Sequence, residues 1–447
     1  MPRKRKILRQ AGDTATDVAL PATNSPWATF VPELLSAVQS VLFTEFNECN
    51  ATWNASMMED QNRRKKTAMP QHPLLTVARV NKHWNTVATG DLYRHVHVRK
   101  LDTLLMLLRA CTQKPELIEY ISSFTLDYDY NRMPSPPKAW RKEEGRRKRA
   151  AATTWKFLNM LRPLRISNIY IEMRAIAPLP AGVEPGALIP CLIGIKSLAL
   201  DNAQLHYDIM GVTPSAFDWL KAAAPTLEQV QLPTTVCCGQ KLDIALPNLK
   251  GLWLPNTHWL NEDSLTSIIE STSLENLSVG SLGMSVATFE MLLASSWTTV
   301  RQLHVSLTRY GLHNYGASYG IIDPLVRVLI QSLPLFAKCS VLSVWLNSFD
   351  GVLSDLAAAV PLNVHSLTIC TTDSMPADHL KLVKDILERK LPHLKSINIP
   401  AAKWHVDEEE LSVDDQRALA ACYEDCTRAH VRLTFDGPIP DRLPWQY

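Results

Sequence analysis

A short spacing of apolar residues, apolar-x-x-apolar-x-apolar, recurs through most of this 447-residue chain and limits the folds that it can adopt. The eight clear copies are Ile195/Leu198/Leu200, Leu227/Val230/Leu232, Leu249/Leu252/Leu254, Leu274/Leu277/Val279, Val300/Leu303/Val305, Val341/Val344/Leu346, Val364/Leu367/Ile369 and Leu394/Ile397/Ile399. The three weaker copies before them are Tyr93/Val96/Val98, Ile121/Phe124/Leu126 and Ile166/Ile169/Ile171. One copy would mean little in a chain that is 46% apolar, but eight in order indicate an internal repeat.

Amphipathic segments, typical of helices, lie between most of the copies. Ser285 stands where a helix N-cap belongs, and Pro324 and Pro376 suit a first helical turn. A strand and a helix repeated roughly every 20 to 30 residues stack into a solenoid, because one such unit cannot cover its own apolar face. The sequence therefore predicts an α/β solenoid over residues 93–436, with parallel strands on a concave face and helices on a convex face.

The repeat resembles the leucine-rich repeat, L-x-x-L-x-L-x-x-N/C-x-L. That family has Asn or Cys three residues after the last apolar anchor, whereas this chain has Thr235, Thr257, Thr308 and Thr372 there. A threonine hydroxyl can donate one hydrogen bond to the turn, but it cannot donate several as an asparagine can. The resemblance therefore implies an irregular solenoid with uneven helices.

Upstream of the repeat the chain has a different pattern. FVPELLSAVQSVLF at 30–43 predicts a helix, a linker follows at 44–71, and HPLLTVARVNKHW at 72–84 predicts a second helical segment. The order Pro-Glu-Leu-Leu, then L-L-x-V-x-x-V-x-x-x-W, then Leu-Tyr-Arg-His-Val resembles the F-box of fungal F-box/leucine-rich-repeat proteins over residues 31–98. Segments 1–29 and 437–447 are expected to be a disordered basic arm and a C-terminal tail.

The F-box resemblance implies a non-catalytic substrate-receptor subunit of a Skp–cullin–F-box ubiquitin ligase. The F-box of that family binds a Skp-family adaptor on the cullin core, and the repeats hold a protein substrate nearby, which raises its effective concentration. The residues implied in adaptor contact are Pro32, Leu34, Leu35, Leu74, Leu75, Val80 and Trp84. The alternative is that these residues only close the N-terminal end of the solenoid, since terminal repeats need a cap.

The strand positions between the apolar anchors are predicted to form a binding face. Among three such positions in each of the eight clear copies, only Asp201 is charged. A neutral face with large aromatic rings suits protein or peptide recognition, and it cannot hold phosphates by charge. Trp253, Trp345 and His304 are the predicted substrate contacts on this face. The alternative is that neighbouring loops cover the tryptophan rings.

A second candidate substrate contact is the segment TRYGLHNYGASYG at 308–320, between two repeats. It carries Tyr310, Tyr315 and Tyr319, each followed by a glycine. Such a segment suits a binding rim, because the rings are amphipathic and glycine restricts the backbone little. It is equally typical of an insertion without function.

Basic residues are concentrated in two short runs. The 46 basic and 44 acidic residues nearly cancel, so no overall field indicates nucleic acid or membrane. Arg3, Lys4, Arg5 and Lys6 form a candidate nuclear-import signal, and a predicted exposed basic loop at 131–152 could carry another. The alternative is that both are solvated segments. A nuclear, nucleic-acid-associated protein is therefore the least favoured function.

No motif of a known enzyme is present, so neither catalysis nor a cofactor is predicted. Cys422, Cys426 and His430 lie four residues apart, but they do not make the four-ligand pattern of a structural metal site, and no metal is predicted.

Nine scattered cysteines suit a reducing compartment. With no secretory signal and no 18-residue apolar run, a cytoplasmic or nuclear location is expected. A ligase-independent repeat scaffold is the main alternative function.

Overall fold

The structure is a computed structural model that divides the chain into two compact units, Met1–Thr89 and Gly90–Tyr447. The first unit is described only over residues 82–89, which are helical. The described residues are 82–126, 137–172, 180–183, 187–201, 216–232, 244–254, 262–270, 272–280, 285–307, 322–346, 352–371, 376–400 and 413–435.

A single parallel sheet of 12 strands forms the centre of the second unit, and the strands lie side by side in chain order. The strands are β1 (His95–Val98), β2 (Ser123–Leu126), β3 (Asn168–Glu172), β4 (Ser197–Asp201), β5 (Gln229–Gln231), β6 (Gly251–Leu254), β7 (Asn276–Gly280), β8 (Gln302–Leu307), β9 (Val341–Leu346), β10 (Ser366–Thr371), β11 (Ser396–Asn398) and β12 (Arg432–Thr434). The predicted α/β class is therefore confirmed, and the strand order is consistent with a solenoid-like fold.

Helices connect most of the strands. The α-helices of the described residues are α1 (Lys82–Arg94), α2 (Leu101–Gln113), α3 (Pro137–Leu158), α4 (Ala216–Ala223), α5 (Glu262–Glu270), α6 (Val286–Ser296), α7 (Ile322–Ser332), α8 (Val352–Ala359), α9 (Pro376–Glu388) and α10 (Val413–Arg428). Short 3₁₀ helices occur at Pro115–Tyr120, Pro190–Leu192 and Leu333–Leu335. Successive helices from α5 to α10 contact one another, so the helices form a layer beside the sheet.

The apolar anchors of the repeat build the core between the sheet and the helices. Leu252, Leu277 and Leu303 occupy matching positions on three adjacent strands and are buried. They belong to the same apolar cluster as Leu265 of α5 and Leu292 of α6. Burying one such side chain contributes about 2 kcal/mol before the entropy cost of ordering it. The repeated spacing thus places one face of every strand against the helices.

The predicted helix starts are borne out where the structure describes them. The Ser285 hydroxyl accepts a hydrogen bond from the Thr288 backbone N–H at 3.1 Å, which makes Ser285 the N-cap of α6. Pro376 is the first residue of α9, and Pro324 lies in the first turn of α7. Proline is tolerated there because its missing N–H has no partner in the first turn.

A continuous ladder of backbone hydrogen bonds runs along the edge where the strands begin. The Lys196 carbonyl accepts hydrogen bonds from the backbone N–H groups of Glu228 and Gln229, at 2.7 and 2.9 Å. The Glu228 carbonyl in turn accepts from Lys250 and Gly251, at 2.7 and 3.0 Å. The same arrangement repeats from β3 to β11. The ladder fixes neighbouring units at the same height, so matching repeat positions form straight rows across the sheet.

The predicted register of one repeat, Val341/Val344/Leu346, is wrong by two residues. Val341 was expected to be an apolar anchor, but Leu342 pairs with Leu303 and Val344 pairs with Val305. Val341 therefore faces away from the helices and is 37% exposed. The prediction failed because β9 is apolar at five of its six positions, and Cys339 completes the same spacing two residues earlier. A shift of two residues leaves each side chain on the same face of the strand, so Ser343 and Trp345 stay on the predicted face. Asn347, the third predicted position, lies outside the described residues.

The predicted loop at 131–152 is also wrong where the structure describes it, because residues 137–152 belong to helix α3. Lys148 and Arg149 are exposed as expected, but Ala150 and Ala151 are buried. Lysine, arginine, glutamate and alanine are all good helix formers, so the basic run marks the solvent side of a helix. Strand β12 is a further difference, since no repeat copy was predicted at its position.

Two chemical features of the described residues bear on the expected compartment. The six described cysteines are free thiols, and all are buried. Among the helices within the described ranges, none combines the length and apolar character needed to cross a membrane.

Candidate binding face

Opposite the helices, the sheet presents a second face, called here the polar face. Strand pairing aligns its residues in rows that cross the sheet. The lower row, nearest the starts of the strands, is Ser197, Gln229, Gly251, Asn276, Gln302, Val341, Ser366 and Ser396. The upper row, two residues further along each strand, is Ala199, Gln231, Trp253, Ser278, His304, Ser343, Thr368 and Asn398.

The polar face is uncharged over most of its width. From β5 to β11, no described strand residue on this face is Asp, Glu, Lys or Arg. Burial lowers the pKa of His304 to about 4, so this ring is neutral at physiological pH as well. Ligands that depend on charge, such as phosphate groups, find no ionic partner on these strands.

Charged side chains border the lower row instead of lying in it. Glu228 contacts Lys196 on one side at 3.1 Å and Lys250 on the other at 3.4 Å. Glu275 and Arg301 continue the alternation on the next two strands, 4.0 Å apart. These residues precede the strands and form the backbone ladder described above. Because opposite charges alternate, this edge adds little net field to the polar face.

Trp253 packs onto the sheet instead of projecting from it. Its ring lies over Gly251, where an added Cβ atom would stand only 2.4 Å from a ring carbon. Trp253 is 8% exposed and forms a small apolar cluster with Ala199, against which Tyr170 packs. This burial favours the alternative in which the ring packs within the protein, and its contact with a substrate stays a prediction.

Trp345 and His304 form a second aromatic pair on the polar face. Their ring centroids are 6.2 Å apart and the rings meet edge to face at 65°. The Trp345 indole N–H donates a hydrogen bond to the Ser343 hydroxyl at 3.3 Å. Trp345 is buried, whereas His304 and Ser343 are partly exposed. Of the three predicted contacts on this face, His304 offers the most accessible polar group.

Sequence reasoning missed the amide side chains of the lower row. Gln229 and Asn276 are partly exposed, and Gln302 is exposed. Within the described part of the chain, these three amides make no side-chain hydrogen bond. Asn or Gln recurs at the first polar position of these strands, and that recurrence was the available signal. We call Gln229, Asn276 and Gln302 the amide row.

Ser197 adds a buried polar group at one end of the lower row. It is 2% exposed, and its hydroxyl is the one buried side-chain oxygen or nitrogen without a hydrogen-bond partner among the described residues. Strand pairing puts Ser197 next to Gln229. At the other end the row is satisfied internally, since the Ser396 hydroxyl donates to that of Ser366 at 3.1 Å.

Most of the other predicted contacts cannot be placed. Trp84 lies in helix α1, which runs directly into strand β1 at His95. The remaining adaptor-contact residues, the three tyrosines of 308–320 and the basic residues at 3–6 lie outside the described residues.

No group of three or more His, Cys, Asp or Glu side chains in the described ranges is arranged to hold a metal ion. Cys422 and Cys426 are buried free thiols on α10.

Comparison with models of known protein families and with curated proteins finds no match for this chain.

Proposed function

We propose that this protein is the substrate-receptor subunit of a Skp–cullin–F-box ubiquitin ligase. In this proposal residues 31–98 bind a Skp-family adaptor, and an irregular leucine-rich-repeat solenoid presents a protein substrate on its concave strand face. The subunit performs no chemistry itself. It raises the effective concentration of the substrate near the ubiquitin-conjugating enzyme, in the cytoplasm or the nucleus.

The observation that carries the proposal is the neutral polar face of the parallel sheet. Strand order and register present the eight residues of each row to one side, and strands β5 to β11 contribute no ionic group there. Polar, uncharged side chains beside aromatic rings suit a protein surface better than nucleic acid, which requires many basic contacts. A broad recognition surface without catalytic groups fits a receptor role.

The adaptor-binding part of the proposal rests on residue order. Helix α1 ends at Arg94 and strand β1 begins at His95, so no linker separates the helix that carries Trp84 from the first strand. This direct connection fits the order of the F-box resemblance, in which Leu-Tyr-Arg-His-Val leads into the first strand.

The test is binding of a purified Skp-family adaptor to the full chain. The double variant Leu75→Asp/Trp84→Ala should lose adaptor binding, because it places a charge and removes a ring at the implied contact. The matched control is Met106→Ala on helix α2, whose side chain is 65% exposed and outside the implied contact. Equal binding by the double variant and the control would contradict the assignment.

A ligase-independent interaction scaffold is the second candidate, and the same neutral face supports it. The two candidates differ only in the first unit, so the adaptor experiment separates them. If the adaptor does not bind the wild-type chain while the polar face still binds peptides, the scaffold is the better description. Nucleic-acid binding through the basic runs would instead weaken steeply as salt rises.

A further inference from the structure

We propose that the amide row binds the main chain of an extended, uncharged peptide segment of the substrate. This inference rests on the proposed role of the polar face as a receptor for protein. It changes the residues expected to carry recognition, from the two tryptophans to Gln229, Asn276 and Gln302. It also names the substrate class, a flexible segment read through its backbone.

The amide row has unused hydrogen-bonding capacity. Each primary amide can donate two hydrogen bonds and accept two, which is the complement of a peptide backbone that alternates N–H and C=O. The three amides make no side-chain hydrogen bond within the described chain, although each lies on a strand whose neighbours are fully paired. The three side chains are partly or fully exposed, so these amides face solvent and are available to a ligand.

The Ser197 hydroxyl next to Gln229 is a further polar group without a partner among the described residues. A buried hydroxyl without a partner costs roughly 1–3 kcal/mol, which the fold tolerates here. Ala199, two residues along on the same face, is buried without any side-chain polar atom, so a buried unpaired hydroxyl is not a general feature of this face. Strand pairing puts this hydroxyl next to Gln229, so an unsatisfied polar group lies at the end of the amide row.

The length of the amide row matches that of a short extended peptide. Gln229 and Gln302 lie on β5 and β8, three strand intervals apart, so about 14 Å separates them along the row. An extended peptide covers that distance with about four to five residues. Between Gln229 and Asn276, the Trp253 ring lies over Gly251 and fills the place of a side chain there, so an aromatic surface separates these two amides. Val341, exposed at the end of the row, offers an apolar contact to one ligand side chain.

The charges around the amide row restrict the kind of peptide that it can bind. The strands that carry the row have no ionised group on the polar face, and opposite charges alternate along the border below it. Burying a charged peptide side chain here would cost its hydration without an ionic partner. The expected ligand therefore lacks Asp, Glu, Lys, Arg and phosphate over the contacted residues.

Ligands are selected from a display library of random peptides. Each peptide is about eight residues long, so that it extends beyond both ends of the amide row. Selected peptides are synthesised, and their binding to the full chain is measured by fluorescence anisotropy. We expect uncharged peptides whose affinity falls about tenfold or more in Asn276→Ala/Gln302→Ala, because two hydrogen bonds are lost. Methylation of the backbone nitrogens at contacted positions should weaken binding similarly, while raising salt from about 0.05 to 0.5 M should have little effect.

The matched control is Gln113→Ala, which removes an exposed amide from helix α2 and should leave affinity unchanged. Urea unfolding of all variants checks that folding is intact. The proposal is overturned if no peptide is selected, if the double variant binds as tightly as the control, or if N-methylation has no effect at any position. Selective binding of an oligosaccharide at these residues in place of peptides would also overturn it.

These outcomes are independent of the ligase assignment, because peptide binding is measured without adaptor. Peptide binding with no adaptor binding refutes the ligase role and keeps the amide row. Adaptor binding with no peptide binding refutes the amide row and keeps the ligase role.

Discussion

At the scale of single residues, Gly251 determines how Trp253 can pack. The ring occupies the space that a side chain at position 251 would fill, 2.4 Å from the site of an added Cβ atom. We predict that Gly251→Ala destabilises the fold by about 1–3 kcal/mol, because the ring must move. Trp253→Ala should cost about 2–4 kcal/mol, since it removes a nearly buried ring. Both values are measured by urea unfolding.

A double-mutant cycle makes this prediction specific. With the ring removed, an alanine at 251 has room, so Gly251→Ala should cost much less in the Trp253→Ala background. Ser278→Ala on the adjacent strand is the control and should change stability by less than about 0.5 kcal/mol. Strictly additive costs for the two substitutions would show that the ring does not rest on Gly251.

His304 gives a residue-scale prediction for pH. Its pKa is lowered to about 4 by burial, whereas the unfolded chain has an ordinary histidine pKa near 6.5. As pH falls below about 6.5, the unfolded state binds the proton first, so the folded state loses stability until pH reaches about 4. We expect this residue to account for at most about 3 kcal/mol of the loss.

The measurement compares urea unfolding of the wild type and His304→Gln from about pH 7 to pH 4.5. The variant should show the smaller loss of stability over that range. His379, whose pKa is also lowered mainly by burial, remains in both proteins and cancels in the comparison. Identical pH profiles would mean that His304 titrates normally in the folded protein.

At the scale of elements, the alternating charges at the starts of β4 to β8 help to align neighbouring strands. Hydrogen bonding to Lys196 is the main cause of the lowered pKa of Glu228, and Lys250 adds to it. These side chains are about one third to two thirds exposed, so solvent and salt weaken each ion pair. We predict that Glu228→Lys, which puts three cations in a row, costs about 1 kcal/mol at low salt.

The salt dependence separates this charge effect from packing. The cost of Glu228→Lys should shrink as salt is added, because exposed charges are screened over about 10 Å at 0.1 M. Glu290→Lys on helix α6 is the matched control, since Glu290 is exposed and lies in no ion pair among the described residues. A cost that does not change with salt would attribute the effect to the aliphatic part of the side chain.

Element by element, the sequence predicted what depends on apolar periodicity and missed what depends on side-chain neighbours. The anchor spacing located eleven strands, because one residue in two along each strand must enter the core. It misplaced the register of β9, where Val341 and Cys339 satisfy the same pattern. The amide row could not be recognised in advance, because its significance lies in the absence of partners, and that is visible only once strand pairing is known.

At the scale of the whole second unit, the sheet connects each strand only to its chain neighbours. The strands follow chain order from β1 to β12, so the fold is a series of units stabilised by adjacent units. In a parallel sheet whose strand order differs from the chain order, removing one end of the chain can remove a central strand. Here the last unit, α10 and β12, contacts mainly α9 and β11.

This order predicts that a chain ending at Pro400 keeps the rest of its structure. Removal of α10 and β12 deletes one terminal unit, so the remaining strands should retain their pairing while overall stability falls. Hydrogen exchange should find amide protection from β1 to β9 unchanged, with faster exchange confined to β11 and its neighbour β10. The exposed β11 edge should also raise the tendency to self-associate, because its backbone groups lose their partner strand. Uniformly faster exchange across all remaining strands would show that the sheet is one cooperative block instead of a series of units.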